Sequence, residues 1–457
     1  MYKTNIYKYA DNHKKHNITT FAEGYKAFLS LSKTERLTFS EIERMAKENG
    51  FKEYDAKSSL SKGDKIYFVN RQKNIILYKI GTQQIINGMQ ILGAHLDSPR
   101  LDLKQSPLYE ANDLALFDTH YYGSLKNYQY VVTPMAVHGV VYKKDGTHVD
   151  INIGESETDP IVGISDVLVH LASDQLHKVG NKIIESEDLD VIIGSICSDG
   201  NQKGSVKNNI LKALANEYGI CEEDFLSAEL EVVPACKARD FGFDRSMIAG
   251  YGQDDRACVY AVLKAIIDIE NCEYTACALF VDKEEVGNCG ATGAESIFFE
   301  NTILELLRKS GDDSIYNLRK TLSNSFMLIC DAVSAIDPIY SSVSDSNNCA
   351  KLNYGVAFEK YVGYGGKCGT NDANPRYIAS IRNFLDSHQI FFQFAEFGKV
   401  DQGGGGTTAY IAAKQNIEVM DCGIPMLNMH SPMEIIAKAD LYEAYQFYKL
   451  FFSFSIK

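Results

Sequence analysis

No apolar run in this sequence reaches the ~18 residues a helix needs to cross a membrane. The opening stretch, MYKTNIYKYADNHKK, is polar and has no apolar core segment, so no secretory signal is expected there. Positive charge is also short. Lys and Arg number 46 against 60 Asp and Glu, a net −14, which disfavours nucleic acid because phosphate binding needs a basic surface. An acidic chain can still hold cations in carboxylate pockets. No CxxC pair is present, which argues against a cysteine zinc site or a disulfide framework. Eleven cysteines, an odd number, with Cys277 and Cys330 inside apolar strand-like runs, read as free buried thiols in a reducing, cytoplasmic compartment. No linker, repeat or low-complexity segment stands out.

What is present is an ordinary globular balance, 45% hydrophobic and 23% charged, in 457 residues, too many for one core. Two domains are therefore expected. Phe21, Tyr25, Phe28 and Leu29 share a helical face. Ser40 and Glu43 form a capping-box pattern before Ile42, Met45 and Ala46, and Asn49-Gly50 ends that helix. KIYFVNRQKNIILYKI predicts a hairpin turning at Arg71–Lys73. From there one pattern recurs: a short apolar strand ends in a residue able to bind metal. QILGAHLDSP supplies His95 and Asp97, ACALFVDKEEVGN Glu284 and Glu285, SFMLICDAVSA Asp331, and PMLNMHSP His430. Asp254, in GYGQDDRACVYAVLKAI, sits where a loop enters a helix. Ligands of open α/β sheets bind beyond the carboxyl ends of the strands. The stretch from about Asp102 to Asp244 interrupts the pattern with strand-like segments such as YQYVVTPMAVHGVVYKK and LSAELEVVPA. It predicts a β-rich domain, 102–243, inserted into an α/β domain made of 1–101 and 244–457. The glycines at Gly363–Gly366 and Gly403–Gly406 predict loops, either plain connections or backbone held close to substrate.

Two-metal hydrolysis needs several N and O ligands, a bridging carboxylate and a group that takes a proton from water. His95, Asp254, Glu285, Asp331 and His430 supply two imidazoles and three carboxylates, and Glu284 remains as the base. Adjacent glutamates point in different directions, so one can ligate while the other faces water. Asp97 is placed to accept the second ring N–H of His95 and fix its tautomer. Each residue alone has a commoner structural explanation: a His at a strand end is usually structural, an EE pair usually solvated, and Asp-Asp before a helix usually an N-cap. Their joint occurrence, in this order, carries the metal reading.

At these residues the chain resembles the aspartyl aminopeptidase / aminopeptidase I family of dinuclear metallopeptidases. The matching segments are AHLDSPRLD, YYGSLKNYQYVVTPMAVHG, DVLVHLASDQ, GYGQDDR, DKEEVG, AKLNYGVAFEKY, KVDQGGGGT and MHSP, spanning about Ile91 to Glu434. The resemblance implies an α/β fold, a mixed-sheet phosphorylase/hydrolase-like catalytic domain carrying an inserted dimerisation domain. It implies two divalent ions per subunit: zinc first, with manganese or cobalt also suited to N/O donors. Asp254 would bridge them, His95 and Asp331 would complete one, Glu285 and His430 the other, and Glu284 would be the general base. His170 matches a histidine that reaches the neighbouring subunit's site, and dimers would build a dodecamer acting on short peptides with a free N-terminus. The sequence departs from the family at Ala335-Ile336-Asp337-Pro338, which lacks a usual His-Pro-Asn.

The family name suggests acidic N-terminal residues. An acidic side chain would need a cation, for which Lys360 is the candidate. Two other readings stand beside this one: a deblocking aminopeptidase or carboxypeptidase with the same metal chemistry, and a catalytically silent scaffold on the same fold.

Overall fold

The structure, a computed structural model, describes residues 4–198, 204–363 and 365–454. Tyr364, within the first predicted glycine loop, lies outside the described residues. The chain divides into two compact units. The first comprises Met1–Asp97, Ala238–Met429 and Glu434–Lys457, and the second Ser98–Lys237 with His430–Met433.

The first unit is built on a nine-stranded mixed sheet. In chain order its strands are β1 (Lys52–Glu53), β2 (Lys65–Asn70), β3 (Asn74–Lys79), β4 (Met89–His95), β5 (Thr275–Val281), β6 (Phe326–Cys330), β7 (Val356–Glu359), β8 (Phe392–Ala395) and β9 (Glu418–Gly423). They lie in the order β1-β2-β3-β5-β4-β6-β9-β7-β8. β5, β4, β6 and β9 run parallel, so their carboxyl ends share one edge. β4 and β5 are buried along their whole length, as a strand covered on both faces must be. Alternate residues serve opposite cores. Ile75, Leu77, Leu92, Phe280 and Leu328 pack with the helices Asn12–Leu31, Gln253–Asp268 and Lys438–Phe451. Ile76, Tyr78, Ile91, Leu279 and Ile329 pack with Phe298–Lys309, Ile315–Ser323 and Ala409–Lys414. Helix Gln253–Asp268 is buried almost all round, so its sequence is apolar on every face, the mark of a central helix.

The predicted hairpin is β2 and β3, turning through Arg71 and Gln72 in left-handed backbone. The predicted capping box is corrected. The second helix runs Glu35–Glu48, capped by Thr34, whose side chain accepts from the Leu37 N–H. Ser40 lies inside it and bonds back to the Arg36 carbonyl, because the earlier cap had already started the helix. PMLNMHSP is also corrected. Its strand, Pro425–Leu427, belongs to a separate five-stranded sheet with Arg239–Phe241, Met247–Gly250, Glu434–Ala437 and Val333–Ser334.

The second unit is a six-stranded antiparallel sheet, ordered His148–Ile153, Met135–Tyr142, Ala228–Pro234, Arg100–Ala111, Leu114–Tyr122, Val191–Gly194, with its own core. Its edges are Ser98 and Lys237 where the sequence suggested 102 and 243. The reason is pairing: the strand from Arg100 belongs to this sheet, whereas Arg239–Phe241 pairs with Met247–Gly250 of the first unit. This unit also carries a helix, Ser205–Tyr218. All eleven cysteines are free thiols. Among the described residues no helix is long and apolar enough to cross a membrane.

Candidate metal centre

His95 closes β4, Asp331 follows β6, and Glu284 and Glu285 open a short 3₁₀ turn after β5. That turn is framed by left-handed backbone at Lys283 (φ 71°) and Gly287 (φ 91°), which swings two consecutive carboxylates out from the sheet edge. Asp254 enters from the start of helix Gln253–Asp268, where the backbone leaves helical geometry. Five side chains from four chain segments therefore meet. Donor atoms of His95, Glu284 and Asp331 lie within 4.8 Å of one another, as do those of His95, Asp254 and Glu285, and those of Asp254, Asp255 and Asp331.

The His95 ring is held by its Nδ1. It donates to the Asp97 main-chain oxygen at 2.9 Å, with the Asp97 carboxylate at 3.3 Å. The expected acceptor was that carboxylate; the carbonyl is nearer. A carbonyl can only accept, so Nδ1 carries a proton, and Nε2 is the nitrogen that faces Asp254 (3.3 Å) and Asp331 (3.5 Å). The buried Asp97 carboxylate also accepts the N–H of Glu284 and of Glu285, each at 3.2 Å, so one residue ties the histidine to the glutamate turn.

Charge crowding shapes the electrostatics. Burial, then the negative charge of Asp331, pushes the Glu284 carboxyl up to about 8. Burial also raises Asp331, with His95 opposing it. Burial works against a charged His95, but the hydrogen bonds to Asp254 and Asp331 override it and hold the ring well above its ordinary value. A site holding this many acids with too little positive charge to balance them suits divalent cations, and the donors are imidazole nitrogen and carboxylate oxygen, a set zinc accepts.

Two residues here were not singled out from sequence. Asp255, fully buried, accepts the His95 main-chain N–H at 3.4 Å. Glu434, 1% exposed, accepts from the N–H of Gln253 (2.6 Å) and of Asp254 (3.2 Å) and so braces the entry of Asp254. The Asp-Asp doublet signalled the first; the glutamate just beyond MHSP gave no signal of its own. The other expected residues are not members of these groups. His430 falls in the second unit, where its Nδ1 donates to the Ser124 carbonyl at 2.8 Å. His170 lies exposed on a short 3₁₀ turn of that unit. Lys360 follows β7, its side chain 43% exposed and its ammonium 3.4 Å from Asp372.

Residues 28–452 match the family model described as aminopeptidase I zinc metalloprotease (M18). The chain belongs to the M18 family. It is accordingly a zinc metallo-aminopeptidase, a peptide hydrolase. A probable M18 family aminopeptidase 1 of Clostridium acetobutylicum is 51% identical over 455 residues, covering 98% of each chain. The crystal structure of the M18 aminopeptidase of Thermotoga maritima superposes with TM-score 0.96 at 40% identity, covering 99% of both chains. The S. cerevisiae mApe1 dodecamer shares the M18 fold at TM-score 0.77 and 19% identity, covering 96% and 97%.

Proposed function

We propose that this M18 aminopeptidase removes the N-terminal residue of short peptides at a two-metal site formed by His95, Asp254, Glu285, Asp331 and His430, with Glu284 as general base. The observation that carries the reading is the packing of His95, Asp254, Glu284, Glu285 and Asp331 donors within 4.8 Å in overlapping groups. Bound there, the ions would supply Lewis acidity toward the scissile carbonyl and toward attacking water. Asp254, which like His95 and Asp331 belongs to two of the groups, would be the carboxylate shared between the ions. His95 presents Nε2, because the Asp97 carbonyl fixes the proton on Nδ1. Glu284 is held through its N–H by Asp97, so its carboxylate is free to take the proton from water and pass it to the leaving amine. His430, like His95, donates through Nδ1 to a carbonyl, which would leave Nε2 as the nitrogen for ligation.

Glu284→Gln should keep its zinc yet lose about 10²–10⁴-fold in turnover, whereas Glu285→Gln should lose metal first. Metal analysis and steady-state kinetics on both variants test the assignment, and the reverse pattern would refute it.

The inserted unit is the proposed dimerisation module. Exposed Val167, Leu168, Val169 and Leu171 surround His170, an apolar surface of the kind that marks association sites. A His170 that crosses into the partner's site could donate to the developing oxyanion. Mixing Glu284→Gln with His170→Ala subunits should then restore part of the activity; no recovery despite proven exchange would exclude the shared site. A closed assembly of dimers, up to a dodecamer, would restrict access to short peptides and suit a cytoplasmic enzyme. An acidic preference through Lys360 would require its ion pair with Asp372 to open.

A further inference from the structure

The residue before Lys360 is placed differently. Glu359 closes β7 directly opposite Asp421 on β9, and both are 3% exposed. Residues paired across an antiparallel ladder point to the same face with their Cβ atoms about 5 Å apart, so two carboxylates meet inside the protein. Glu359 Oε1 has no hydrogen-bond partner among the described residues, and Asp421 has only the Thr407 hydroxyl beside it. No lysine, arginine or histidine of the described residues pairs with either acid. The nearby Lys360 and Lys367 both pair with Asp372. Such a pair is costly to bury empty and suits a cation that arrives from outside.

Register shows where that cation would come from. Asp421 pairs with Ile329 on β6, and the ladder continues as the Asp331 N–H donates to the Cys422 carbonyl. Asp331 lies two residues beyond Ile329, on the same face, which puts the Cα of Asp421 about 8 Å from that of Asp331. Asp331 also acts electrostatically on both acids, raising each behind the larger effect of burial. The four-carbon stem of a lysine spans roughly 6 Å, so a peptide whose first residue sits at the metal centre can reach the pair.

We infer that Glu359 and Asp421 form the seat for the cationic side chain of an N-terminal lysine or arginine, making this a basic-residue-selective aminopeptidase. The inference rests on the metal-centre reading above. Two carboxylates around one ammonium or guanidinium give charge-assisted hydrogen bonds, and the same pair repels an aspartyl or glutamyl side chain.

The test is the kcat/KM of the zinc-loaded enzyme on lysyl, arginyl, leucyl and aspartyl methylcoumarylamides. Lysyl and arginyl substrates should lead by about tenfold or more, and Glu359→Gln and Asp421→Asn should each cut the lysyl-to-leucyl ratio about ten- to hundredfold, chiefly through KM. Glu359→Lys should move the preference toward aspartyl. Zinc content and circular dichroism matched to the wild type keep a folding defect from passing as a selectivity change. A wild type that favours aspartyl, or a lysyl-to-leucyl ratio unchanged in both isosteric variants, overturns the inference while leaving the metal-centre reading intact. No turnover of any of the four substrates by zinc-loaded enzyme overturns both.

Discussion

Replacing Gly423 by alanine inserts one methyl group between two strands at the point where β6 delivers Asp331. The added Cβ would fall 1.4 Å from the Asp331 carbonyl oxygen and 2.5 Å from its carbon. A close C···O approach needs about 3.3 Å, so the two backbones must part by about 1.9 Å. The obstacle is backbone, not a side chain that could rotate away. Two hydrogen bonds bracket the contact, from the Asp331 N–H to Cys422 O and from the Val333 N–H to Ile424 O, both 3.0 Å. Losing both at about 1 kcal/mol each, with about 1–3 kcal/mol of overpacking, predicts a destabilisation of about 3–5 kcal/mol. Asp331 moves with its main chain, and a 1 Å misplacement at a reacting centre costs about 100-fold. Gly423→Ala should therefore bind zinc more weakly and lose at least that much in kcat/KM. Zinc content by mass spectrometry, aminoacyl-amide hydrolysis and thermal unfolding would be measured together. Full zinc occupancy with kcat/KM within about twofold of wild type would show that Asp331 does not depend on this close approach.

Two further outcomes follow from the buried acids. Glu284 has its carboxyl raised to about 8 in the metal-free site, and metal binding requires the ligand cluster to give up its protons. Zinc affinity should therefore fall as pH drops from 8 to 6, by about 50-fold for one displaced proton with its midpoint at about 8, and a chelator-competition titration with pH-independent affinity would refute the coupling. Asp421 has its carboxyl raised from 3.8 to about 7 by burial, so the folded state holds the proton more tightly than the unfolded chain. Its cost to stability is absent below pH 3.8, grows as pH rises, and is complete above about 7, where 3.2 units amount to at most about 4 kcal/mol. Asp421→Asn should thus be more stable than wild type at pH 8 and gain less at pH 5; a thermal-shift difference equal at both pH values would contradict this.

Strand ends were legible because a buried parallel strand leaves an unbroken apolar run, and its first polar residues stand out, as at His95 and Asp331. The Glu-Glu doublet stood out in the same way, although nothing in its letters foretold the left-handed Lys283 that turns both carboxylates outward. Weaker signals were lost. The hairpin of Arg100–Ala111 and Leu114–Tyr122 alternates polar and apolar residues and turns on Asn112-Asp113 in left-handed backbone, without the glycine that usually marks such turns. Glu434 is buried for the sake of two main-chain N–H groups 180 residues earlier, a partnership no local pattern encodes.

Glu359 and Lys360 show the limit most sharply. Adjacent residues of opposite charge stand where a strand stops, and the letters do not say which one turns inward. The ladder decides: the last register pair of β7 is Glu359 with Ala395 on one side and Asp421 on the other, so Glu359 is enclosed while Lys360, one residue past the ladder, turns out to Asp372. A sequence expectation of an acidic substrate and a structural inference of a basic one thus differ by a single residue of register, the smallest displacement that exchanges the two faces of a strand.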